Sequence, residues 1–155
     1  MRRIALIAAG LVLLLTIAPW VATASRRGKS SRPHTCSATD RQFIETARTN
    51  IAALSLWGQE YVSGEAKSGE VISQAKRASL IVRGTAPSDP SLAQTRGLMV
   101  SMFTAYAKAI RAKSHARDAG PHMYRAYGLA NFAHTVLSSA AAPLKKKGCD
   151  VAPLL

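Results

Sequence analysis

His134, Tyr106, Met99 and Met102 are the residues whose types and spacing come nearest to ligand chemistry. A histidine and a methionine facing one another inside a helical bundle can hold a haem iron, and an imidazole can hold other metals. His134 falls on the expected inner stripe of the last helical segment. A hairpin turning near residues 118–121 would set it level with Tyr106 on the segment before. The plainer reading is a Tyr–His hydrogen bond across the core, since buried polar groups need partners. No Cys-x-x-Cys-His is present for covalent haem attachment. No cofactor or metal is therefore assigned, and a haem, metal or small-ligand carrier using a core histidine stands as an alternative.

Catalytic constellations are not visible. Di-iron bundles need inward Glu residues on several helices with Glu-x-x-His pairs. Here Glu45, Glu60, Glu65 and Glu70 all fall in the first half, and none begins such a pair. The Gly-x-Ser-x-Gly elbow of hydrolases is missing too. His34 stands close to Cys36, but a disulfide would consume that thiol. The expectation is a protein that is not an enzyme.

The remaining candidates are cations. Lys108, Arg111 and His115 share one side of a helix, and Lys113, Arg117, His122 and Arg125 crowd the turn that follows. Lys145, Lys146 and Lys147 form a run near the C-terminus. From residue 33 to 89 six basic residues meet six acidic ones, whereas from 90 to 155 nine basic residues meet only Asp118 and Asp150. The whole chain carries +13. Such an uneven surface suits anionic partners: a membrane surface, an acidic envelope component, or an unknown protein partner. Nucleic acid fits poorly, because no aromatics interleave with the cations to stack bases. The bland alternative at the 108–125 corner is pairing with Glu60, Glu65 and Glu70 across the same end of the bundle, worth only about 0–1 kcal/mol per exposed pair.

Four helices must position these groups. Ile44, Ala47, Ile51, Leu54, Gly58 and Tyr61 recur at three- and four-residue steps, with Phe43, Trp57 and Val62 beside them, and Thr39 with Gln42 offers a capping box. This predicts a helix over 39–62. Val71, Ala75, Ala78 and Val82, flanked by Ile72 and Ile81, predict one over 65–83. Asp89 as cap and Pro90 as first residue open a third, running to about 117 with Leu92, Met99, Met102, Tyr106 and Ala109 inward. A fourth starts near Pro121, with Met123, Tyr127, Ala130, His134, Leu137, Ala141 and Leu144 inward and Pro143 kinking or ending it. No strand pattern is present. The fold class is all-α, an up-down-up-down four-helix bundle.

In that topology the first helix starts where the fourth ends, so Cys36 and Cys149 should meet there in one disulfide. Closing a loop of about 100 residues is worth up to about 4.7 kcal/mol in the chain-entropy picture. A disulfide implies an oxidising compartment. The front of the chain agrees: Arg2 and Arg3 precede an apolar run over 4–18, Pro19 breaks it, and Ala22-Thr23-Ala24 offers a small-x-small cleavage site. Residues 1–24 read as a signal peptide, or as an uncleaved N-terminal anchor. Residues 25–35 read as a basic disordered segment, and 36–155 as the four-helix domain. The sequence thus points to an exported protein (secreted, periplasmic or on the outer face of a membrane) that binds a partner or an anionic envelope surface. Small residues at Gly128, Ala130 and Ala133 keep open a further alternative, a helical oligomer with a structural role.

Overall fold

The computed structural model describes residues 35–155. The expected signal segment, the basic segment up to residue 34 and His34 lie outside the described residues. The rest is a four-helix bundle: α1 (Ala38–Ser63), α2 (Ser68–Arg83), α3 (Pro90–Ser114) and α4 (Gly120–Lys146), followed by a 3-10 turn, Ala152–Leu154. Each helix packs on the next in sequence, and α1 also meets α3 and the 3-10 turn. Cys36 and Cys149 are joined, with their Cα atoms 4.8 Å apart across a separation of 113 residues.

Local chemistry explains the boundaries. Ser37 caps α1, its Oγ accepting the Asp40 amide at 3.0 Å. The cap is Ser37, directly after the disulfide-bonded Cys36 and two residues before the expected Thr39. Helix α2 starts at Ser68 rather than 65: the Glu65 and Ala66 amides bond the Glu60 carbonyl to close α1, and Glu70 Oε2 then accepts the Lys67 amide at 2.6 Å to open α2. Asp89 and Pro90 open α3 as expected, Asp89 Oδ1 accepting the Ser91 amide at 2.9 Å. Asp118 Oδ1 accepts the Gly120 amide at the head of α4.

Three helices end in the same way. After α1, α3 and α4 one residue adopts a left-handed conformation: Gly64 (φ 85°), Ala116 (φ 53°) and Gly148 (φ 79°). The next amide then bonds back five residues, Glu65 to Glu60, Arg117 to Ala112 and Cys149 to Leu144, which is the Schellman arrangement. This ending stops α3 at Ser114, short of 117. In α4 it turns the chain so that Cys149 faces the start of α1. Helix α4 runs past Pro143 to Lys146, and neither ends nor breaks there.

The core holds Phe43, Val82, Leu92, Phe103, Leu137 and Leu144, all inaccessible or nearly so, with both cysteines and Val151 in the same cluster. The inward stripes of α2 and α3 match the spacing argument. In α4 the buried residues are Ala126, Ala133, Leu137, Ala140 and Leu144. The inner face is turned by about one residue from the expected one, onto Ala126, Ala133 and Ala140, whose small side chains allow close packing of α4 on α3. The larger Tyr127 and His134 are consequently exposed, as is Val62 on α1.

Candidate functional site: a buried polar latch and an unpaired cationic surface

The rotation of α4 dismantles the proposed ligand set. His134 is on the solvent face, its Nδ1 3.4 Å from Ser138 Oγ within the same helix. Met99 and Tyr106 are buried and Met102 is half-buried. The structure therefore does not bring His134 together with Tyr106 and Met99, and the idea of a core histidine falls. Tyr106 instead lies against α1, where a Cβ on Gly58 would sit 3.1 Å from its hydroxyl. Glycine at position 58 makes room for that oxygen. Burial pushes the Tyr106 hydroxyl up to about 12, with Tyr61 nearby adding to the rise.

A polar cluster that the spacing argument missed sits at the disulfide end. Asp40, on the first turn of α1, is 5% exposed. Its Oδ1 accepts the Ser88 amide at 2.7 Å and the Asp89 amide at 3.0 Å, and its Oδ2 accepts the Ser88 hydroxyl at 2.9 Å. Ser37 Oγ lies 2.9 Å from Ser88 Oγ. One carboxylate thus fastens the start of α1 to the loop between α2 and α3. Asp89 in turn accepts from Lys147 Nζ at 2.7 Å, tying that loop to the end of α4. Burial alone would raise both carboxyls. For Asp40 the Asp89 amide, Ser37 and Ser88 outweigh it, and for Asp89 the Lys147 ammonium and the Ser91 amide do, so both are held below the ordinary carboxylate value. The partnership with Asp89 raises Lys147.

These groups line an open recess with Thr35, Cys36, Pro90 and Cys149. The two sulfurs and a carboxylate oxygen of Asp40 lie within 4.8 Å of one another. The sulfurs are bonded to each other, and Asp40 takes three donors. This is the chemistry of closure: polar groups satisfied by one another, with Asp89 paired to Lys147 and the Asp40 carboxylate held by three uncharged donors. The signal that could have found it was Ser88-Asp89-Pro90, a loop ending in a helix cap. Nothing in the local pattern ties that loop to Asp40, 48 residues earlier.

The cationic candidates divide. Lys147 belongs to the latch and is not a free surface cation. Lys108, Arg111, Lys113, Arg117, Arg125, Lys145 and Lys146 are all exposed. Among the described residues the ion pairs are Arg48–Glu45 and Lys147–Asp89. The pairing of the 108–125 corner with Glu60, Glu65 and Glu70 therefore does not form. Lys113 instead places its Nζ 5.4 Å from the centre of the Tyr61 ring. Gly128 is open, with nothing within 4 Å of a Cβ placed there, whereas Ala133 is buried inside the bundle and Ala130 is half-buried. No helix among the described residues is long and apolar enough to cross a membrane. No family model, no curated protein and no solved structure matches this chain.

Proposed function

We propose that this chain is an exported, non-catalytic helical-bundle protein that binds an anionic envelope surface or an anionic partner through α3 and the head of α4. The observation that carries this reading is the set of exposed cations at Lys108, Arg111, Lys113, Arg117 and Arg125, none of which has an acidic partner among the described residues. Fixed cations without local counter-charges attract polyanions and release small counterions on contact. Export is supported by the sequence of residues 1–24 and by a disulfide of the kind that persists in oxidising compartments. The non-catalytic reading is supported by the polar groups of the recess, which are engaged with one another.

Co-sedimentation with anionic and neutral vesicles, repeated across a salt series, tests the proposal. Binding should be confined to the anionic surface and should fall as salt rises, because exposed charges are screened beyond about 10 Å at 0.1 M salt. Replacing Lys108, Arg111, Lys113, Arg117 and Arg125 by Gln should abolish it. Equal, salt-independent retention on neutral vesicles would defeat the proposal.

A further inference from the structure

Among the described residues, the large apolar side chains exposed on α1 and α2 are aliphatic, whereas those exposed on α4 are aromatic. Stepping by threes and fours from Tyr124 along the exposed side leads through Gly128, Phe132, Thr135, Ser139 and Ala142 to Lys146. This face is opposite the buried Ala126, Ala133, Leu137, Ala140 and Leu144. Between Arg125 and Lys145 the helix carries no charged residue, and it carries no acidic residue at all. Tyr124 and Phe132 stand out from this face, 81% and 51% exposed, and Tyr127, one turn from Tyr124 at the edge of the face, is 49% exposed. Exposed aromatics on a helix whose other face already supplies the core are unexplained by folding, and grouped apolar exposure marks a contact surface.

We infer that this face docks on the interfacial layer of an anionic phospholipid bilayer, with α4 lying flat, its aromatics among the headgroups and its cations on phosphates at both ends. The inference rests on the anionic-surface reading above and names the surface. Charge selects the occupant. At 27 residues α4 is about 40 Å long; Arg125 stands beside Tyr124 near one end, Lys145 and Lys146 stand at the other, and no Asp, Glu, Lys or Arg lies between them. An anionic sheet satisfies both ends at once. A second copy of the chain would bring like-charged ends near one another with no acid on α4 to pair them. Tyrosine suits the site because its ring is apolar and its hydroxyl stays wet, which favours it at membrane–water boundaries. Gly128 carries no side chain and is open to solvent, which leaves the face flat between Tyr124 and Phe132.

The test uses the full chain, so that whatever residues 1–34 add is common to every variant. Vesicles of phosphatidylglycerol mixed with phosphatidylcholine are the probe, with soluble polyphosphate as the polyanion that has no interior. The Tyr124→Ser/Phe132→Ser double variant keeps every cation and should bind the vesicles at least tenfold more weakly while binding polyphosphate as before. A Tyr124→Trp variant should gain fluorescence over the parent that lipids with brominated acyl chains quench. Unchanged vesicle affinity in the double variant, with no quenching at position 124, would overturn insertion and leave the anionic-surface reading standing. Binding to polyphosphate but not to vesicles would do the same. Loss of both would remove the two readings together. A parent dimer in sedimentation velocity that the double variant abolishes would assign the face to self-association and overturn the membrane assignment.

Discussion

Replacing Asp40 by alanine isolates the latch at the disulfide end. The carboxylate accepts three hydrogen bonds, and bonds to a charged group contribute about 1.5–3 kcal/mol each. The loss is smaller than three times that figure, because Ser88 is exposed and water can take over its amide and hydroxyl. The Asp89 amide belongs to a buried residue and is left wanting an acceptor. About 2–4 kcal/mol is the expected cost, a large part of the roughly 5–15 kcal/mol that holds a small domain together. Asp40→Asn should behave differently. Both backbone amides bond to Oδ1, which a side-chain amide retains, and the Ser88 hydroxyl can reverse to accept from the new N–H. That variant loses charge without losing partners, and about 1 kcal/mol is expected. Urea unfolding of the oxidised protein at pH 7 measures both, with the disulfide intact in every sample. The pH series adds a sign. Because the Asp40 carboxyl titrates lower in the folded state, its contribution is complete above the ordinary carboxyl range near pH 4 and disappears as pH falls through its lowered value. The gap between parent and Asp40→Ala should therefore narrow in acid. Equal destabilisation by Asn and Ala, or a gap that is constant from pH 7 to pH 2, would refute the geometry of the latch.

Reducing the disulfide, or replacing Cys36 and Cys149 together by serine, should cost up to about 4–5 kcal/mol, as expected for a loop of this length, and thermal unfolding with and without a thiol reductant reads it. Ala116→Gly should stabilise the bundle by about 0.5–1 kcal/mol, since the strain of a left-handed alanine exceeds the extra freedom that glycine brings to the unfolded chain; a lower urea midpoint would contradict the φ assigned there. Acid unfolding of the parent should begin below about pH 4, where Asp40 and Asp89 take up protons and release the amides and the ammonium that hold them low.

The closure of the bundle was legible because it follows from counting: four antiparallel helices return the chain to its origin, and the only two cysteines lie at the two ends. The faces of α2 and α3 were legible because large apolar residues mark them. Helix α4 was misread for a physical reason. Leu137 and Leu144 fit either of two stripes one residue apart, and the choice was made by Ala126, Ala133 and Ala140, which are small enough to approach α3 closely and too ordinary to stand out in a spacing argument. His134 followed that error into a core it does not occupy. The Asp40 latch was hidden because its partners come from a loop far along the chain, and a single aspartate near a helix start reads as a cap. Asp89 was read correctly as the cap of α3, because that part of its role is local, whereas its bond to Lys147 at the end of α4 was not visible.

The S–S bond joins residues 36 and 149, so nearly the whole described chain hangs as a closed ring from one covalent point. Tension applied from outside the ring, by something holding the chain before residue 36 and something holding it after residue 149, would travel through the sulfurs and bypass the helices. A bundle wired in this way can be tugged at its ends without being pulled apart, until a reductant opens the link.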